Sequence, residues 1–77
     1  MEIKDFIQKF AELFEDVTVD DLTPETEYKE LDEWDSMMAL SLLSMVSDEY
    51  DVPVMGEDLK KAVTLQQLFD VIKEKKG

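Results

Sequence analysis

Apolar residues recur at helical steps along this chain, and no segment alternates as a strand would. Residues 2–15 place Ile3, Phe6, Ile7, Phe10, Leu13 and Phe14 at steps of three and four, with Glu2, Lys4, Asp5, Lys9 and Glu12 on other faces, which predicts an amphipathic helix. From Ser36 to Tyr50 there is no Gly or Pro, and Leu40, Leu43, Val46 and Tyr50 keep the helical spacing. A second helix is therefore expected over 36–50, begun by Asp35 or Ser36 and stopped by Val52-Pro53-Val54. Gly56-Glu57-Asp58 can cap a short third helix over about 57–62. Thr64-Leu65-Gln66-Gln67 reads as a capping box, opening a fourth over about 65–75. Its stripe is Leu65, Leu68, Phe69 and Ile72, and Lys73, Lys75 and Lys76 fall in the last turn, where the helix dipole favours cations. The expected fold class is all-α: one domain spanning 1–77, a bundle of three long helices and one short, with a long first loop. At 77 residues the chain is close to the smallest that folds alone, but 44% hydrophobic residues can still make a core.

The first loop concentrates the charge. Residues 16–35 hold nine acids against Lys29 alone, within a chain of 20 acids, eight lysines and net charge −12. Thr23-Pro24 suits a turn or one-turn helix with Thr23 as its N-cap, and Tyr28, Leu31 and Trp34 read as anchors pinning the loop to a core. A loop this long in a compact domain is either functional or a misassignment. Such a charge repels nucleic acid and anionic membranes and attracts basic protein surfaces. No segment approaches the roughly 20 apolar residues of a membrane span. The first residues also carry acids where a signal peptide needs cations. A cytoplasmic monomer is the simplest expectation.

The chain lacks Cys, His and Arg. Disulfides, thiolate metal sites, Ser–His and Cys–His catalysis and bidentate Arg recognition are thereby excluded. The acidic run at Asp16-Val17-Thr18-Val19-Asp20-Asp21 lacks the central Gly and terminal Glu of a calcium loop, so no dedicated metal site is expected. Weak divalent binding at Glu30, Asp32, Glu33 and Asp35 remains compatible with the sequence.

The second helix has an unusual pattern. Ala39, Leu40, Leu42, Leu43, Val46 and Tyr50 project as a broad buried arc, whereas Met37, Ser41, Ser44 and Asp48 form a separate stripe facing solvent, with Met38 and Met45 on its flank. Flexible apolar side chains beside small hydroxyls suit a repackable partner contact. Met38 and Met45 serve equally well as core fillers. Just before this helix, an acidic loop delivers Glu33-Trp34-Asp35-Ser36-Met37 to a helix N-terminus, where backbone N–H groups favour an attached anion.

This arrangement resembles the acyl carrier protein family, in which an Asp-Ser-Leu motif at the start of helix two carries 4′-phosphopantetheine on the serine. The resemblance spans the chain, through Tyr28-Lys29-Glu30-Leu31, Trp34-Asp35-Ser36-Met37, Asp48-Glu49-Tyr50-Asp51, Val52-Pro53-Val54 and Thr64-Leu65-Gln66. It implies a carrier without catalysis of its own, with Ser36 as the attachment serine for an arm derived from coenzyme A. Asp35 would then help position magnesium-bound coenzyme A on a separate phosphopantetheinyl transferase. Implied partners are that transferase and acyl-loading and acyl-processing enzymes with basic or apolar docking surfaces, contacting Met37, Met38, Ser41, Ser44 and Asp48. The implied acyl pocket comprises Leu43, Val46, Tyr50, Val54, Leu59, Ala62 and Leu68, all of which also read as ordinary core. Bulky Leu59 and Leu68 favour a short or polar cargo.

Departures from the family pattern are Glu33 for a Gly common before the motif, Met37 for Leu, and Met38, Ser41 and Ser47 where acids are common. They favour a dedicated carrier in a specialised lipid, polyketide, surface-polysaccharide or aminoacyl (D-alanyl) pathway over housekeeping fatty-acid synthesis. The competing reading is a small acidic helical protein-binding module without a prosthetic group.

Overall fold

The structure is a computed structural model that describes residues 2–76. Its helices are α1 (Ile3–Ala11), α2 (Ser36–Tyr50), α3 (Gly56–Lys61) and α4 (Leu65–Lys76), with 3₁₀ turns at Val19–Asp21 and Tyr28–Glu30 in the connection between α1 and α2. The protein is all-α, and the described residues contain no strand beyond an isolated antiparallel bridge between Glu27 and Thr64.

The α-helical part of the first element ends at Ala11, short of the position 15 that the apolar stripe implies. The backbone tightens there: Leu13 N–H donates to Phe10 C=O at 3.1 Å and Phe14 N–H to Ala11 C=O at 3.0 Å, both three-residue steps. The tightened turn still buries Phe14, whose ring centroid lies 5.1 Å from that of Phe10. An apolar stripe thus outlasts the helix that began it.

A chain of aromatic contacts runs through the core from Trp34 by way of Phe10 and Phe6 to Tyr50 and Phe69. Phe6, Phe10, Tyr28, Leu42, Val46, Leu65, Leu68 and Ile72 are completely buried. Phe10 stacks on Trp34 with centroids 6.4 Å apart, and Trp34 meets Tyr28 edge-on at 5.1 Å. The sequence-predicted anchors Tyr28 and Trp34 therefore join these aromatic contacts, and Leu31 packs against the same core.

Thr23-Pro24 forms a turn and not a helix, closed by Thr26 N–H to Thr23 C=O at 3.0 Å. Beyond it the loop supplies caps to two helices. Leu65 N–H donates to Thr26 C=O at 3.0 Å and Gln66 N–H to Pro24 C=O at 2.9 Å, while Gln67 N–H reaches Thr64 Oγ1 at 3.2 Å. The N–H groups of the first turn of α4 that lack an intrahelical acceptor are thereby satisfied. Gln67 Oε1 accepts from Val63 N–H at 2.7 Å, so the expected box closes one residue upstream of its N-cap.

At the other helix, Tyr28 Oη donates its one proton to a position shared by the carbonyls of Leu59 and Ala62, each 2.9 Å away, and Lys29 Nζ donates to Lys60 C=O at 2.9 Å. These carbonyls lie at the C-terminal end of α3, which has only six residues and cannot stand by itself. Its N-terminal end is closed by Asp58, whose carboxylate accepts from Met55 N–H and pairs with Lys75 at 3.2 Å. The Met55 N–H bond and, less strongly, the Lys75 ammonium hold the Asp58 carboxyl below its ordinary range.

Burial pushes the Tyr28 hydroxyl up to about 12 from an ordinary value of 10.0. A folded-state value above the unfolded one means that this contribution to stability is whole below about pH 10 and is lost as pH rises through the folded value. Tyr28→Phe leaves the α3 carbonyls without their donor and should cost about 1–3 kcal/mol at neutral pH. It should also flatten the stability loss between pH 10 and 12, as read from urea unfolding midpoints at both ends of that range.

Candidate functional site

Trp34 fixes the entry to α2. Its N–H donates to Leu31 C=O at 3.0 Å and its ring is wedged against Phe10 and Tyr28, so the next residue leaves the core at a set point. That residue, Asp35, is extended, with φ −155° and ψ −173°. Its Oδ1 accepts from Met38 N–H at 2.9 Å, and its carbonyl takes the first helical bond from Ala39 N–H at 3.0 Å. Asp35 is thus the N-cap and Ser36 the first helical residue, with both side chains exposed. An anion on Ser36 would meet the N-terminal end of a 15-residue helix.

Beside Ser36 opens a cleft of about 410 Å³ between α2 and α3. Its walls are Trp34, Ala39, Leu40, Leu43, Gly56 and Leu59, with Lys29 and Lys60 as its charged members and Ser36 among the lining residues. The cleft separates the first turns of α2 from α3, which spans only about 9 Å at 1.5 Å per residue.

The structure divides the residues that sequence reasoning grouped as a pocket. Leu43 and Leu59 line the cleft, whereas Val46 and Leu68 are fully buried and Val54 and Ala62 nearly so, all as core. Tyr50 is at the opposite end of α2, its ring 6.2 Å from Phe6 and its hydroxyl buried without a partner. The family resemblance implied these residues as a pocket, and the structure places most of them in the core and two of them on the cleft.

Met37, Ser41, Ser44 and Asp48 are exposed along α2, while Met38 and Met45 are half-buried against the core. Leu40 does not join the buried arc that its spacing predicts: it is 62% exposed, close to Met37 at 69%. Met55, at the N-terminal end of α3, is 61% exposed. The apolar surface near Ser36 is therefore broader than the sequence stripe. Leu40 carried a signal that pointed the wrong way, because hydrophobicity in a helix reads as burial. The tie between Thr18 N–H and Asp21 Oδ2, at 3.1 Å, organises the acidic run as a 3₁₀ turn. Glu33 Oε2 accepts from Asp16 N–H at 3.3 Å, joining the two ends of the loop. Among the described residues no group of three or more acids is arranged to hold a metal ion.

A serine at the first position of a long helix, capped by Asp and opening on an apolar cleft, fits the attachment of a phosphate-linked arm. The family model for the phosphopantetheine attachment site matches residues 4–72. The chain belongs to the phosphopantetheine-binding carrier proteins of the acyl carrier protein family. Proteins of this family bear a 4′-phosphopantetheine prosthetic group and work with a phosphopantetheinyl transferase and partner enzymes. No solved structure matches the chain. None of the described helices is long and apolar enough to cross a membrane.

The carrier's N-cap can be separated from its charge. Asp35→Ala removes the acceptor for Met38 N–H and should lower stability by about 1 kcal/mol, whereas Asp35→Asn, an equally good cap, should stay within a few tenths of the parent. Thermal and urea unfolding of the two variants check this.

Proposed function

We propose that Ser36 carries the 4′-phosphopantetheine arm and that the protein holds acyl intermediates as thioesters for enzymes of a dedicated, specialised pathway. The observation that carries this reading is that Ser36 is both the exposed first residue of α2 and a lining residue of the apolar cleft. In the transfer, a base on the transferase would take the proton of Ser36 Oγ, Oγ would bond to the coenzyme A phosphorus that bears the pantetheine, and the bond from that phosphorus to the departing adenosine 3′,5′-bisphosphate would break. Asp35 uses Oδ1 to cap α2, and its carboxylate would help to position magnesium-bound coenzyme A on the transferase. The chain supplies no His or Cys to activate the serine, so the chemistry belongs to the partner enzymes and this protein acts as carrier only.

The arm supplies the thiol that a cysteine-free chain lacks. Its cargo enters the cleft along Ala39, Leu40, Leu43 and Leu59, and the cleft does not reach the fully buried Val46 and Leu68, which favours short chains. Partners meet Met37, Leu40, Ser41, Ser44 and Met55 through contacts that are mainly apolar, with Asp48 farther along α2 as the acid on that face. Such a surface mimics poorly the acidic helix two that fatty-acid enzymes engage, and supports the assignment to a specialised pathway.

Incubation with coenzyme A and a broad-specificity phosphopantetheinyl transferase should raise the intact mass by one phosphopantetheine. Ser36→Ala should abolish the gain, and no gain in the parent protein ends the proposal. The loaded protein should fail to support chain elongation by fatty-acid synthase enzymes; efficient elongation would refute the specialised pathway while leaving the carrier role intact.

A further inference from the structure

The cleft beside Ser36 carries no acid, although the chain is very acidic. Acids outnumber lysines 20 to eight, yet no carboxylate lines the cleft, whereas Lys29 and Lys60 do. They come from different elements, Lys29 from the 3₁₀ turn that precedes α2 and Lys60 from the last turn of α3, so the fold brings them together. Lys29 is fixed there, its ammonium bonded to Lys60 C=O at 2.9 Å and 5.8 Å from the centroid of the Tyr28 ring. That bond takes one of three ammonium hydrogens and leaves the charge uncompensated. Among the described residues the ion pair present joins Lys75 to Asp58, and neither lysine of the cleft has a carboxylate partner.

Two uncompensated cations on the edge of an otherwise apolar cleft are complementary to a chain that is apolar along its length and anionic at its end. We infer that the cargo of this carrier is an acyl group ending in a carboxylate, its methylenes against Ala39, Leu40, Leu43 and Leu59 and its carboxylate paired with Lys29 and Lys60. This rests on Ser36 bearing the arm. The same two ammonium groups repel an aminoacyl cargo, which is cationic at neutral pH, and leave an alkyl cargo with nothing to offer them. The cleft, being only partly closed, keeps each pair near solvent, so the gain is modest and works as selection among cargoes rather than as tight binding.

The experiment loads the full-length protein from adipoyl-coenzyme A, labelled with ¹³C at the free carboxyl, and from hexanoyl-coenzyme A, using a phosphopantetheinyl transferase. The protein bearing the arm alone is the third sample. With adipoyl, the amides of Leu59 and Lys60 should shift beyond their positions in the hexanoyl form. The carboxyl should titrate about half a pH unit lower than in Lys29→Gln/Lys60→Gln, the effect of a partly exposed ion pair. Gln at position 29 keeps an N–H donor for Lys60 C=O, and Lys60→Gln alone, at an exposed position, is the variant that leaves every observed bond in place. Equal titration in parent and variants overturns the inference while the mass gain upholds the carrier. The same Lys60 shifts in the sample with the arm alone would assign the lysines to the arm's phosphodiester and overturn it too. Failure of Ser36 to load overturns both readings.

Discussion

A single buried hydroxyl holds the working end of this carrier together. Tyr28 comes from the loop, packs edge-on against both Phe10 and Trp34 in the aromatic core, and ends on the carbonyls of Leu59 and Ala62. Six residues of helix have little stability of their own, so α3 depends on what closes its two ends. The cleft wall formed by Gly56, Leu59 and Lys60 is therefore set by a residue about thirty positions away in sequence, and by the aromatic packing that holds that residue in place. The same cluster carries Trp34, next to Asp35 and Ser36. Position of Ser36 and position of the facing wall are thus two outputs of one packing arrangement.

Much of this was legible in the amino-acid pattern. Period-three-and-four spacing gave the helices, and the aromatic residues stranded in an acidic loop gave the anchors, because an isolated Tyr or Trp among acids has little other physical use. What was not legible has identifiable causes. The end of α1 was hidden because a 3₁₀ turn directs Phe14 to the same side as the α-helix would. Leu40 was misread because spacing reports the direction of a residue and not whether a neighbour reaches it. A cleft separates that part of α2 from α3, and spacing along one helix says nothing of its distance from another. Leu43 and Val46 are three residues apart on one stripe, yet one lines a cleft and the other is fully buried in the core.

Electrostatics and packing divide the surface between them. The acidic loop provides a long-range negative field, since most of the net charge lies before Ser36. Close to the serine the surface changes character, with Met37, Leu40 and Met55 exposed and with lysines on the cleft. Attraction over distance and fit at contact are thereby assigned to different residues, so either can change without the other.

The contacts from the loop to α4 run through the main-chain oxygens of Pro24 and Thr26, and the identities of Glu25 and Glu27 take no part in them. A descendant could exchange those acids for other polar residues and keep the docking of the loop. Over evolutionary time the charge of the loop can drift, and with it the set of enzymes the carrier encounters, while the architecture is inherited unchanged. Tyr28 and Trp34 have no such freedom, which makes them the positions at which divergent carriers built on this plan should still agree.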